Sequence, residues 1–292
     1  MTGKPRTRIP DGTVVNMGDR ELVFAEHIFD LRDANDVRDD PDALRARLAE
    51  DGYLLIRRFH DEDATYRARL DIVQELHEQG GLAPDAPIED AIASDNGGYL
   101  PDGRRIAISD DRTRQLSSFL ELVNARSTLQ FFDRLLGAPT RTYTHKWIRI
   151  YQPGQDTEIH YDAPYMGPDG PDRVITTWTA LGKITLDMGP LAIALGSHRL
   201  EALIGTYGQT DAVRGGASGW LTKDPFGVID KYRVKWATTE FEMGDMLMFG
   251  KHLLHGSLQN RSNRFRLSTD TRFQRQDDPI DQAYQFDVRA EV

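Results

Sequence analysis

Two short segments of this 292-residue chain carry side chains at spacings that metal and anion chemistry can use. In Glu158-Ile159-His160-Tyr161-Asp162, an extended strand would project residues two apart from one face, so an imidazole and a carboxylate stand side by side. The pair offers a nitrogen and an oxygen to one metal ion, although His-x-Asp is common by chance and carries little alone. The second segment, 245–274, reads as two strands joined by the polar turn Asn260-Arg261-Ser262-Asn263. If the turn centres on Arg261-Ser262, Ser257 is expected opposite Arg266, and His255 opposite Ser268, across a hairpin. One hairpin would then aim an imidazole, a guanidinium and two hydroxyls into a single space. A guanidinium fork suits bidentate capture of a carboxylate, and hydroxyls add further hydrogen bonds.

Competing groups have plainer readings. His252 precedes His255 by three residues, so period-two alternation puts it on the opposite face, in a structural or surface role. His198 sits in a Gly-Ser-His turn, and His27, His60, His77 and His145 have no partner at ligand spacing. Arg264 alternates in phase with Arg266 but suits an edge salt bridge equally well. Arg261 is expected in solvent at the turn tip, and Asn260 to shape the turn. With no cysteine in the chain, thiolate zinc sites, iron–sulfur clusters, disulfides and cysteine nucleophiles are excluded. A metal site must therefore use His, Asp or Glu.

The elements that would position these residues fall in two parts of one domain. Residues 1–139 read as a mostly helical elaboration. Helices are expected at 40–50, from 61 to about 79, and at 114–136; a short strand is expected at Tyr53–Phe59, and an irregular, lid-like loop near 82–112. From Thr140 to about 275 the pattern turns to strands, at 140–151, 157–164, 173–181, 190–195, 234–241, 245–258 and 264–274, with a Gly-rich insert near 199–233. Such a run of short strands predicts a sandwich or jelly roll, mainly β, with helices packed outside.

In this frame the sequence resembles the phytanoyl-CoA dioxygenase family of iron(II)- and 2-oxoglutarate-dependent oxygenases. The matching residues are His160-x-Asp162, His255-Gly256-Ser257, Asn260-Arg261-Ser262-Asn263 and Arg266, supported by Pro153-Gly154, Ala163-Pro164-Tyr165 and Gly196-Ser197-His198. The resemblance covers roughly 140–275. It implies a double-stranded β-helix core (jelly-roll, cupin-like) with iron(II) held by His160, Asp162 and His255. It further implies 2-oxoglutarate anchored by Arg266 with help from Ser257 or Ser268, and dioxygen as oxidant. Trp178 and Lys146 or Arg149 are weaker candidates for the cofactor pocket, and Tyr165, Met166, Arg104 and Trp220 for substrate contacts. Related halogenating enzymes replace the carboxylate by Gly or Ala, so Asp162 favours hydroxylation of an unactivated C–H bond, with release of succinate and carbon dioxide. The alternatives are a cupin-like metal isomerase or dioxygenase that works without 2-oxoglutarate, and a non-enzymatic metal- or ligand-binding jelly roll.

The formal net charge of −10 argues against a nucleic-acid partner and leaves a polar small molecule, such as a natural-product intermediate, as the expected substrate. No apolar run approaches a membrane span and the N-terminus lacks a secretory pattern, so the cytoplasm is expected. Monomer and homodimer stay equally open.

Overall fold

Each strand has two faces, and most strands of this chain find a use for both. The computed structural model describes residues 8–100, 102–166, 173–279 and 286–287. A five-stranded sheet runs in the order β3 (Ile28–Asp30), β10 (Trp236–Thr238), β9 (Leu191–Ala194), β12 (His255–Ser257) and β7 (Thr157–His160). A seven-stranded sheet contains β14 (Phe286–Asp287), β5 (Thr140–Tyr143), β13 (Arg266–Arg275), β8 (Ile175–Ala180), β11 (Met246–Gly250) and β4 (Tyr53–Ile56), with β6 (Trp147–Tyr151) pairing to β13. The hairpin β1 (Val14–Met17) and β2 (Arg20–Val23) stands apart from both.

Alternation explains the layering. In β4, Tyr53 and Leu55 join a core with Trp178 and Ala180 of β8, Leu247 and Phe249 of β11, and Leu191 and Ile193 of β9. Strands of both sheets contribute, so this core lies between them, as in a jelly roll. The intervening residues Leu54, Ile56, Met246 and Met248 turn outward onto Phe131, Phe132 and Leu135 of a helix. Outside the five-stranded sheet, Met17 and Leu22 of the hairpin cover Ile159, Ala192 and Trp236.

The helices begin and end where their caps dictate. In α1 (Pro41–Asp51), the Asp40 carboxylate accepts from the backbone N–H groups of Asp42 and Ala43, and Gly52 closes the helix in a left-handed conformation at φ 81°. In α2 (Glu62–Glu78), Asp61 accepts from the Ala64 N–H. The single helix expected at 114–136 is instead two, α4 (Ser117–Val123) and α5 (Arg126–Leu136), preceded by the one-turn α3 (Asp110–Thr113). The reason is tertiary. Phe119 and Leu122 of α4 bury against α2, whereas Phe131, Phe132 and Leu135 of α5 bury against the seven-stranded sheet, and one straight helix cannot face both cores. The insert near 199–233 holds two helices, α7 (Glu201–Ile204) and α8 (Pro225–Tyr232), and α6 (Ala163–Met166) forms one turn just after β7.

Two further expectations change. The mostly helical N-terminal part supplies not only the expected strand at Tyr53, which is β4, but also β1, β2 and β3; β3 and β4 extend the two sheets. Segments 245–258 and 264–274 do not form a hairpin: β12 pairs with β7 and β9 in one sheet, whereas β13 pairs with β5, β6 and β8 in the other. The connection leaves the hairpin path because its backbone N–H groups are taken elsewhere, Leu258 by Pro190, Gln259 by Asn16 and Asn260 by Gln155. Asn260, fully buried, clips the turn by donating to the carbonyls of Tyr151 and Arg264 at 3.1 and 2.8 Å.

Candidate active site

Between the two sheets lies a cavity of about 750 Å³ whose walls follow strand alternation. On β13, positions 266, 268, 270 and 272 share the inner face, as do Thr176 and Trp178 on β8 and Trp147, Arg149 and Tyr151 on β6. His160 and His255 enter from the opposite sheet, directly across from one another in the β7–β12 register.

His160, Asp162 and His255 each offer a ligand atom, and these atoms lie within 4.8 Å of one another. The Asp162 Oδ1 is 4.0 Å from His160 Nε2 and 3.8 Å from His255 Nε2. Each imidazole is oriented by the backbone two residues before it, His160 Nδ1 lying 2.7 Å from the Glu158 carbonyl and His255 Nδ1 lying 2.9 Å from the Leu253 carbonyl. A carbonyl only accepts, so Nδ1 carries the proton in both rings and both Nε2 lone pairs face the carboxylate. Burial, reinforced by the neighbouring His255, lowers the His160 pKa to about 4, so the ring is neutral. Burial also opposes ionisation of Asp162, but Arg272, the two histidines and the Thr176 hydroxyl outweigh it and hold the carboxyl well below its usual range. Two imidazoles that turn their Nε2 atoms toward one carboxylate fit a divalent iron and leave positions for other ligands.

Arg266 occupies the cavity's inner end, 1% exposed. Its two terminal nitrogens donate to Ser268 Oγ at 2.8 Å and Ser257 Oγ at 3.0 Å, and its guanidinium lies 3.7 Å from the Tyr151 ring centroid. Thr157 Oγ1 donates to the same Ser257 hydroxyl at 3.2 Å and is itself hydrogen bonded to Tyr151. Among the described residues no carboxylate ion-pairs with Arg266, and its buried Nε has no hydrogen-bond partner. Burial lowers its pKa to about 10 against the opposing influence of Tyr151 and Asp270, so the group stays charged at neutral pH. A buried cation satisfied only by hydroxyls fits the far carboxylate of a dicarboxylate such as 2-oxoglutarate.

The remaining expected site residues divide. Trp178 lines the cavity, 2% exposed, with the Arg266 guanidinium 5.7 Å from its ring centroid. Tyr165, Met166 and Trp220 also line it; Tyr165 sets its ring edge-on to His160 at 5.6 Å, and Tyr165 and Trp220 are exposed at the mouth. Residues 167–172 of the expected rim loop lie outside the described residues. Lys146 does not line the cavity. It is one residue out of phase with Trp147, Arg149 and Tyr151, and its buried Nζ donates to Thr142 Oγ1 at 2.7 Å. Arg104 does not line it either; its side chain is exposed and paired with Asp102 at 2.7 Å. Arg114, between α3 and α4, and His145, held 3.0 Å from Asp110, take that part of the wall.

His252 occupies the turn before β12 rather than a strand, with its ring edge-on to Tyr161, so its distance from the cavity does not depend on alternation. Arg264 pairs with Asp90 at 2.9 Å, and Arg261 donates to Asn16 Oδ1 at 2.8 Å. Sequence reasoning missed Thr176, Asp270 and Arg272. A signal existed for two of them, because Asp270 and Arg272 keep the even phase of Arg266 and Ser268.

A jelly roll that gathers two imidazoles and a carboxylate beside a buried, unpaired arginine defines the class of non-haem iron(II)- and 2-oxoglutarate-dependent oxygenases, and this chain is an enzyme of that class. The profile of the phytanoyl-CoA dioxygenase (PhyH) family matches residues 48–268, and the chain belongs to that family. Two relatives, the 1-deoxypentalenic acid 11-beta-hydroxylases of Streptomyces arenae and Streptomyces exfoliatus, are each 26% identical, over 84% of this chain and 85% of the first relative, and 86% and 87% for the second. Among solved structures, EctD from S. alaskensis with 2-oxoglutarate and 5-hydroxyectoine superposes with a TM-score of 0.58 at 17% identity, covering 83% of this chain and 79% of that one. The carbocyclase SnoK from nogalamycin biosynthesis gives 0.56 at 19% identity, covering 83% and 85%. At these identities the structural likeness is one of fold. Among the described residues no helix is long and apolar enough to cross a membrane.

Proposed function

We propose that this protein hydroxylates a C–H bond of a small natural-product molecule, with His160, Asp162 and His255 as iron ligands and Arg266 as the 2-oxoglutarate anchor. The observation that carries this reading is the buried Arg266 guanidinium, fixed by two serine hydroxyls and lacking a carboxylate among the described residues, in the same cavity as the three convergent ligand atoms. Bound iron and 2-oxoglutarate supply the oxidising chemistry, consuming dioxygen and releasing succinate and carbon dioxide.

The chain's own groups do the rest. The Glu158 and Leu253 carbonyls aim the two Nε2 atoms, and Ser257 and Ser268 aim the Arg266 fork. Trp178, Leu191 and Phe249 supply apolar wall beside the buried Arg266 and limit the entry of water. Nearer the mouth, Tyr165 and Trp220 offer aromatic surface, while Arg114 and His145 offer hydrogen-bond donors. That mixture suits an apolar skeleton bearing a polar or anionic group, a description that includes the acid named for the two hydroxylase relatives.

The test begins with anaerobic protein, iron(II) and 2-oxoglutarate, in which a visible iron-to-keto-acid absorption band is expected, followed by succinate release on admitting oxygen. Arg266→Ala is expected to weaken 2-oxoglutarate binding roughly 10- to 100-fold while leaving metal affinity nearly unchanged. Equal weakening of both would remove the anchoring role. Stimulation of succinate release across a panel that starts with 1-deoxypentalenic acid then identifies the substrate.

A further inference from the structure

The two oxygens of the Asp162 carboxylate keep different company. Oδ1 looks toward the two histidine Nε2 atoms at 4.0 and 3.8 Å. Oδ2 is already engaged: Arg272 Nη2 lies 3.1 Å away and the Thr176 hydroxyl donates to it. Arg272 and Thr176 are direct cross-strand partners on β13 and β8, so adjacent positions of one sheet grip a single oxygen. The grip is dry, with the Arg272 and Asp162 side chains 5% and 6% exposed. Arg272 is itself held in place, its guanidinium 4.7 Å from the Trp147 ring centroid and its Nη1 3.4 Å from the Thr271 carbonyl.

We infer that Arg272, assisted by Thr176, is a positioning residue that keeps Asp162 a one-oxygen metal ligand; this rests on the ligand assignment made above. A carboxylate with both oxygens free can close onto a cation through both. Two oxygens of Asp162 and two imidazoles would fill four of six positions, whereas a chelating keto-acid and dioxygen together need three. With Oδ2 held by two donors, only Oδ1 is available and three positions remain. The arrangement also has an electrostatic consequence. A guanidinium sharing the carboxylate's charge stands close to the cation and weakens metal binding relative to an unshared carboxylate. A second carboxylate oxygen on the cation, or loss of the nearby guanidinium, would make the site less attractive to the dianionic 2-oxoglutarate, so Arg272 opposes the metal while favouring the co-substrate, and its removal should move the two affinities in opposite directions.

Cobalt(II) and 2-oxoglutarate are the probes. Cobalt is titrated into full-length metal-free protein and followed by visible absorption; 2-oxoglutarate is then titrated into the cobalt-loaded form, with a thermal melt of each variant. Loss of an outer-shell partner ordinarily weakens metal binding about 10- to 100-fold. Arg272→Met is expected instead to bind cobalt at least as tightly as the parent protein and 2-oxoglutarate at least about tenfold more weakly. Thr176→Val, which removes the hydroxyl with little change of shape, should shift 2-oxoglutarate the same way by roughly two- to threefold. It is judged by the same criterion if Arg272→Met does not fold. Parallel loss of both affinities, or unchanged 2-oxoglutarate binding, overturns the inference. Failure of the parent protein to bind cobalt through His160, Asp162 and His255 would sink the ligand assignment instead, so the two failures are distinct.

Discussion

Arg266 shows how little latitude a buried cation has. Its fork reaches Ser257 from one sheet and Ser268 from its own strand, and neither hydroxyl neutralises the charge. The residue is therefore stable in place but electrostatically incomplete, which makes it a receptor for a carboxylate rather than a structural ion pair. Each serine contributes aim more than charge. Ser257→Ala or Ser268→Ala should therefore raise the 2-oxoglutarate dissociation constant about three- to tenfold, the equivalent of roughly 1 kcal/mol. Calorimetric titration of metal-loaded protein measures this, and a change in metal affinity of the same size would mean that the serines support the whole site and not the anchor alone.

At the scale of elements, the short strand β12 has the most exacting task, because it carries His255 and Ser257 with one residue between them. That residue, Gly256, has no room for a side chain. A Cβ there would come within 2.9 Å of Met17 Cε, pressed in from the β1–β2 hairpin, and 3.0 Å of the Thr157 carbonyl oxygen on neighbouring β7. The methionine tip can yield, whereas the backbone oxygen belongs to the strand that carries His160. Gly256→Ala should thus cost about 1–3 kcal/mol in urea unfolding. It should also weaken metal binding, because relief of the overlap separates the two histidine strands. A variant with parental stability and metal affinity would show that the β7–β12 contact is softer than this. The exchange of a hairpin for two separate sheets belongs to this scale as well. His255 and Arg266 do converge, but across the sandwich, with β7 and β9 rather than β13 as neighbours of β12.

For the molecule as a whole, the N-terminal part is bound into the β core. β4 pairs with β11, and just beyond it the His60 N–H donates to the Gly244 carbonyl at 3.1 Å. The His60 ring is 7% exposed and stands edge-on to Phe59. Burial, with Arg38 nearby, lowers its pKa from an ordinary 6.5 to about 4. The sign follows from which state takes the proton first. Below pH 6.5 the unfolded chain protonates this histidine while the folded chain does not, so stability is complete above 6.5 and is lost as pH falls toward 4. The loss from this residue amounts to roughly 3 kcal/mol. Denaturant unfolding between pH 7 and pH 4 should show a shallower decline for His60→Phe than for the parent protein, whatever the variant's baseline. Parallel curves would mean that His60 titrates alike in both states.

The sequence by itself determined the chemistry on offer, two histidines, an aspartate and an arginine in order; strand alternation aims His160, His255 and Arg266 inward, whereas Asp162, expected on the same strand as His160, lies in the bend just after β7. It also set the caps of α1 and α2, because these depend on neighbours three or four residues away. Only the tertiary structure decided which strand lies beside β12, that Arg114 and His145 rather than Arg104 and Lys146 reach the cavity, and that Arg272 and Thr176 hold one oxygen of Asp162. Local periodicity fixes which way a side chain points but not which distant strand it will meet. Between residues 162 and 272 that meeting depends on how two sheets stack, through hydrogen bonds and buried contacts made by chain segments far apart in sequence.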